Sequence, residues 1–232
     1  MKPPQLVSCI QRSLSQTNCA LSKYLRGLLN NMEWFMLAGV AAPVWMFMGV
    51  IWVSSLYPNY SHRHNVMSEL GAKNRPTTKI HPIINNFPIG ILFILFGLAV
   101  SSTLKQETLP LISGVLIIIH GACHIITGIF PCDENLGIEN PSASQKTHNL
   151  AGLIMFFSLW FACFVWIFSD MKLNNWFEWY SVISALTSFS LLKLMLEGLK
   201  TGVNLGLHQR TSYAVLAIWA GVTWLNRYDP PS

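Results

Sequence analysis

Apolar residues run through this chain in six long stretches, approximately residues 34–57, 84–104, 109–130, 150–169, 177–196 and 207–225, separated by shorter polar segments. Each is close to the ~20 residues that a helix needs to cross ~30 Å of hydrocarbon. Backbone groups in lipid have no water to bond, so a segment that stays in hydrocarbon satisfies them internally, as a helix does. The pattern predicts an all-α fold: a polytopic membrane protein with a bundle of six transmembrane helices over residues 34–228. A basic N-terminal extension, residues 1–33, precedes the bundle, and a short tail, residues 229–232, follows it.

Three finer patterns sit inside the stretches. Ser181, Ser184 and Ser188 share one face of the fifth at i, i+3, i+7 spacing. They predict a polar stripe packed against neighbouring helices, with a wet cavity as the alternative. Gly114, Gly121 and Gly128 recur every seven residues on the third and would let a neighbouring helix approach closely. Trp34, Trp45, Trp52, Tyr57, Trp176, Trp179 and Trp224 lie mostly near stretch ends, where interfacial anchors are expected.

Composition agrees with this picture. The 232 residues are 52% hydrophobic and 11% charged, against about a quarter charged in soluble domains. The extension carries Lys2, Arg12, Lys23 and Arg26 with no acid before Glu33. Its spacing of Leu21, Tyr24, Leu25, Leu28 and Leu29 suits a helix lying on an anionic surface, and a mobile basic tail is the alternative. It has no apolar core of signal-peptide type. The five cysteines have no recurring spacing and predict no disulfide framework. The formal charge of +5 is spread over loops and tail without a concentrated basic patch, so nucleic-acid binding is not expected.

With six helices, the first, third and fifth connections share one side of the membrane. All seven histidines stand on that side or within the third helix: His62, His64, His81, His148 and His208, and the intramembrane His120 and His124. Acids and basic residues divide almost evenly between the sides, so the bias belongs to histidine and the positive-inside rule does not orient the chain. Imidazoles titrate near neutral pH and bind metals, so their gathering points to a site.

Glu69, Asp133 and His148 are candidates for acid–base or metal-assisted catalysis at headgroup depth. His64, Ser68, Lys146, His208 and Arg210 are candidates for holding a phosphate or another anionic headgroup. His120 and His124, at i, i+4, project from one helix face, with His120 near the midplane. Ionisable groups at that depth face the bundle interior and mark function. Three readings fit the pair: neutral hydrogen-bonded histidines, a proton relay, or metal ligands. Zn²⁺ is the default ion, with further ligands from Glu69, His81, Asp133 or His148.

Three segments carry a family resemblance: His64-Asn65-Val66-Met67-Ser68-Glu69-Leu70-Gly71-Ala72; Gly128-Ile129-Phe130-Pro131-Cys132-Asp133 with His148 at the next helix; and Gly206-Leu207-His208-Gln209-Arg210 with Trp219 downstream. In this order they resemble the domain-of-unknown-function 998 membrane proteins over roughly residues 35–228. The resemblance implies a multi-pass integral protein of a prokaryotic cytoplasmic membrane, distantly similar to the Frag1/DRAM/Sfk1 group, some of which work in lipid handling or membrane stress. It assigns no catalytic residues. The functions in contention are a lipid-active membrane enzyme, a proton-coupled transporter, and a binding or sensing protein. The expected partners are the lipid bilayer and lipid headgroups or a small anionic ligand.

Overall fold

The computed structural model describes Gly27 and residues 34–103, 108–135, 139–168 and 176–225. The basic extension, the tail and the connections around residues 105–107 and 170–175 lie outside the described residues. The chain divides into two compact units, Met1–Trp34 and Phe35–Ser232, and the fold below is that of the second.

Every regular element among the described residues is helical. They are α1 (Trp34–Ser55), α2 (Phe87–Thr103), α3 (Thr108–Ile129), α4 (Ala143–Val165), α5 (Trp176–Thr201) and α6 (Leu205–Leu225). Five segments are long and apolar enough to cross a membrane: Trp34–Ser55, Pro82–Ser102, Leu111–Ile129, Ala143–Phe168 and Trp176–Thr201. The chain is thus an all-helical integral membrane protein. The sixth helix has 21 residues, but His208, Gln209 and Arg210 occupy its first turns and lower its apolar content.

α4 begins well before the apolar run at residue 150. Ser142 stands at its N-cap, and its hydroxyl accepts the Gln145 amide at 3.1 Å. The polar stretch from Ser144 to Asn149 is therefore helix, and His148 rides on it. α2 is preceded by a π turn, Pro82–Asn86, closed by the Phe87 amide donating to the Pro82 carbonyl. Pro88 has no N–H to offer the Ile84 carbonyl four residues back. The Trp45 indole of α1 donates to that carbonyl instead, at 2.7 Å.

The glycine strip of α3 meets a matching strip on α2. A Cβ on Gly121 would stand 2.5 Å from the Gly90 carbonyl, and one on Gly114 would stand 2.7 Å from that of Gly97. The helices touch backbone to backbone, as small residues permit in lipid. The serine stripe of α5 is also packed rather than wet. Ser181 accepts the buried Trp219 indole at 2.9 Å, and Ser188 donates to the Ser212 carbonyl at 3.2 Å. Trp34, Trp45, Trp52, Trp176 and Trp179 remain exposed, in keeping with interfacial anchors.

Candidate functional site: a roofed cavity among the helices

The first, third and fifth connections meet in space. The Lys73 ammonium lies 2.8 Å from Asp133 Oδ1 and 2.9 Å from the Ser142 hydroxyl. Asp133 also accepts the Ser142 hydroxyl at 2.7 Å and the Ser142 amide at 2.9 Å, while its own amide donates to Gln145 Oε1 at 2.5 Å. The Lys73 hydrogen bond, followed by those from Ser142, holds the Asp133 carboxyl down at about 2. On the far side, Gln209 Oε1 accepts the Met67 amide at 2.7 Å, and the Leu207 amide donates to the Arg63 carbonyl at 3.1 Å.

Glu69 closes the turn that carries it. Oε1 accepts the Val66 amide at 2.9 Å and Oε2 accepts the Asn65 side-chain amide at 2.6 Å. Arg210 is likewise structural. One guanidinium nitrogen donates to the carbonyls of His62 at 2.7 Å, Asn65 at 2.8 Å and Gly206 at 2.9 Å, and the other donates to the Tyr60 hydroxyl. Burial pushes that hydroxyl up to about 12 against the opposing pull of Arg210.

Beneath these loops lies a cavity of about 390 Å³. His81, Asn85, Asn86, His124, Gln145 and His148 contribute to a polar wall, and Phe156, Phe157, Leu192, Met195, Leu196 and Leu199 to an apolar one. Among the described residues, no Asp, Glu, Lys or Arg lines it. The π turn explains the polar wall, because His81 at its N-cap and Asn85 and Asn86 at its end are all buried there.

Hydrogen bonds define part of the wall chemistry. The His148 Nδ1 lies 2.8 Å from the Phe130 carbonyl, and the His120 Nδ1 lies 2.7 Å from that of Met155. A carbonyl only accepts, so each Nδ1 carries the proton. The His124 ring lies parallel to Phe93, with centroids 6.0 Å apart, and meets the His120 ring edge-on at 4.9 Å. Burial, helped by nearby His148, takes the His81 imidazole down to about 3 and keeps it neutral. Asn86 donates to Thr127 at 2.9 Å, yet its carbonyl oxygen is buried without a hydrogen-bond partner. Asn85 is only 3% exposed, and neither its amide nitrogen nor its oxygen has a partner.

The residues anticipated from sequence thus separate. Ser68, His124 and His148 line the cavity. Glu69 and Asp133 lie in its loop framework, with the hydrogen bonds given above. Arg210 instead lines a second, largely apolar groove of about 760 Å³ between α1 and α6. His64 and Lys146 are exposed, and His208 is half-buried on α6. His120 is buried beside His124. Among the described residues, no group of three or more His, Cys, Asp or Glu is placed to hold a metal ion. His120 and His124 supply two imidazoles, short of the three or four protein ligands that Zn²⁺ sites use.

Asn85 and Asn86 stand at the start of the second apolar stretch and were not among the candidates drawn from the sequence. Their signal was the pair of amides between Pro82 and Pro88, at the mouth of a spanning segment.

Comparison with curated proteins and with solved structures gave no match. A family model, by contrast, covers most of the chain and all three tied connections. Through residues 40–225 the chain belongs to the family described as Protein of unknown function (DUF998).

Proposed function

We propose that this protein is a membrane binding or sensing protein that holds a small molecule in the cavity beneath its first loop, and that α6 is its sixth span. The observation that carries the reading is the lining itself: nine polar residues of the first loop, π turn, α3 and α4 contribute to one half-open cavity, with no Asp, Glu, Lys or Arg among the described lining residues. At about 390 Å³ it falls in the ~300–1,000 Å³ range of ligand pockets. A catalytic reading drew on Glu69 and Asp133, but both carboxylates are engaged in holding loops and lie outside the lining. Anion capture by Lys146, His208 and Arg210 loses support for the same reason, since none of them lines the cavity.

Gly152 supplies the test. It lines the cavity, and a Cβ built on it meets nothing within 4 Å. Gly152→Phe fills the volume from inside α4 without striking a neighbour at its first carbon. Native mass spectrometry of the full-length protein released from nanodiscs should show a bound small-molecule mass on the wild type that Gly152→Phe lacks. Identical adduct patterns would overturn the proposal.

A further inference from the structure

We infer that the groove between α1 and α6 seats one acyl chain of an anionic phospholipid, whose head lies against His62 and Arg210 at the loop end. This site is separate from the cavity and does not rest on the binding reading above.

Shape places the chain. The groove holds about 760 Å³. Roughly 25 water-sized groups at ~30 Å³ each fill such a volume, room for one long acyl chain. Along α6 it runs from Arg210 to Val222, a rise of roughly 18 Å. Val44, Phe47 and Ile51 of α1 and Ile218 of α6 line it and are exposed, so its rim opens on the surface that meets lipid. Empty apolar space forfeits dispersion contacts, and a water there would find few polar partners. A hydrocarbon chain fills it without either cost.

Position places the head. His62, Arg210 and Thr211 line the end where α1 finishes and α6 begins, and the remaining lining is apolar. A bilayer lipid has the same polarity, with its head at the interface and its chain towards the midplane.

Charge selects the sign of the head. Arg210 lines the groove, and no Asp or Glu does so among the described residues. Its guanidinium donates to the carbonyls of His62, Asn65 and Gly206 and to the Tyr60 hydroxyl, all of them neutral. Those bonds satisfy donors without cancelling the charge. The ion pairs among the described residues, Lys73–Asp133 and Arg75–Glu134, do not include it. A half-buried cation beside hydrocarbon calls for an anion. Phosphate oxygens suit a guanidinium, and basic pockets between spanning helices take anionic lipid heads. His62 is exposed and adds an imidazole to the same end.

The test uses the full-length protein in nanodiscs of equal phosphatidylglycerol and phosphatidylcholine with matched chains. Native mass spectrometry after release counts the lipids of each class that stay bound. Phosphatidylglycerol should be retained about tenfold over phosphatidylcholine, the effect of one charge-assisted hydrogen bond. The variants spare Arg210, because it also holds loops. His62→Glu puts a carboxylate at the head, and Ala214→Phe fills the groove beside the chain. Each should bring the two lipids to near-equal retention with the unfolding temperature held. His62 lies on the surface, so its variant tests the head even where Ala214→Phe does not fold. Gly152→Phe, which fills the cavity instead, should keep the wild-type preference. Equal retention on the wild type overturns the inference, as does a preference that survives either groove variant or vanishes in Gly152→Phe. A wild-type dimer without enriched lipid would assign the groove to a second copy of the chain and overturn it too.

Discussion

Lys73 and Asp133, 60 residues apart in the chain, meet at 2.8 Å where the first loop crosses the third. The Ser142 hydroxyl bonds both of them, and Ser142 caps α4. One three-way contact therefore fixes the roof of the cavity and the start of the helix that carries Gln145 and His148. An ion pair on a partly exposed surface adds little stability by itself. This one contributes mainly by holding two loops in register.

Acid should loosen that contact. The folded state holds the Asp133 carboxyl at about 2, against an ordinary 3.8. A depressed carboxyl stabilises the fold above its ordinary value and loses that contribution as pH falls towards the folded one. Unfolding temperatures in nanodiscs should therefore drop between about pH 4 and pH 2. Asp133→Asn should be less stable near neutrality and flatter over that window; acid limbs parallel to the wild type would contradict the assignment.

Arg210 should prove structural. Its guanidinium serves the carbonyls of His62, Asn65 and Gly206. Arg210→Gln should destabilise by on the order of 3 kcal/mol, because several part-buried carbonyls lose a charged donor. Arg210→Lys should recover little, since a single ammonium lacks the planar fork. Full recovery of the unfolding temperature by lysine would argue against this geometry.

The α2–α3 contact should be the least tolerant of added volume. Gly121→Ala would push a methyl towards the Gly90 carbonyl 2.5 Å away and should cost roughly 1–3 kcal/mol through forced backbone separation. Gly152→Ala, with open space at its Cβ, should instead gain up to about 1 kcal/mol from helix propensity. Thermal unfolding of the two variants side by side checks the contrast, and equal behaviour would refute it.

His120 and His124 should matter for packing and hydrogen bonding rather than for metal. His120→Phe removes the donor to the Met155 carbonyl and should destabilise by roughly 1–3 kcal/mol. Elemental analysis of purified wild type and His120→Phe/His124→Phe should give the same metal content. A stoichiometric metal that disappears with the pair would reverse this reading.

The helices and their close contacts were largely legible in advance. The seven-residue glycine spacing on α3 predicted an intimate neighbour, and Gly90 and Gly97 of α2 supply it. The serine stripe of α5 predicted buried polar packing, and Trp219 and Ser212 complete it. The grouping of the site was less legible. Asp133, Glu69 and Arg210 are the polar residues that a motif reading selects, yet they hold the loops. Asn85 and Asn86 bear on the cavity, yet they look in sequence like the ragged edge of an apolar run.

The difference has a physical cause. Hydropathy acts on each residue wherever it stands in the chain, so spanning segments, interfacial tryptophans and the helical class follow from composition along a window. A hydrogen bond depends on two groups that meet only after folding. Whether a carboxylate is free or held is decided by the ammonium or amide that arrives from a loop many residues away. The cavity and its uncharged wall, like the division of polar residues between framework and lining, are products of tertiary packing around the Pro82–Asn86 turn and the Lys73–Asp133–Ser142 contact.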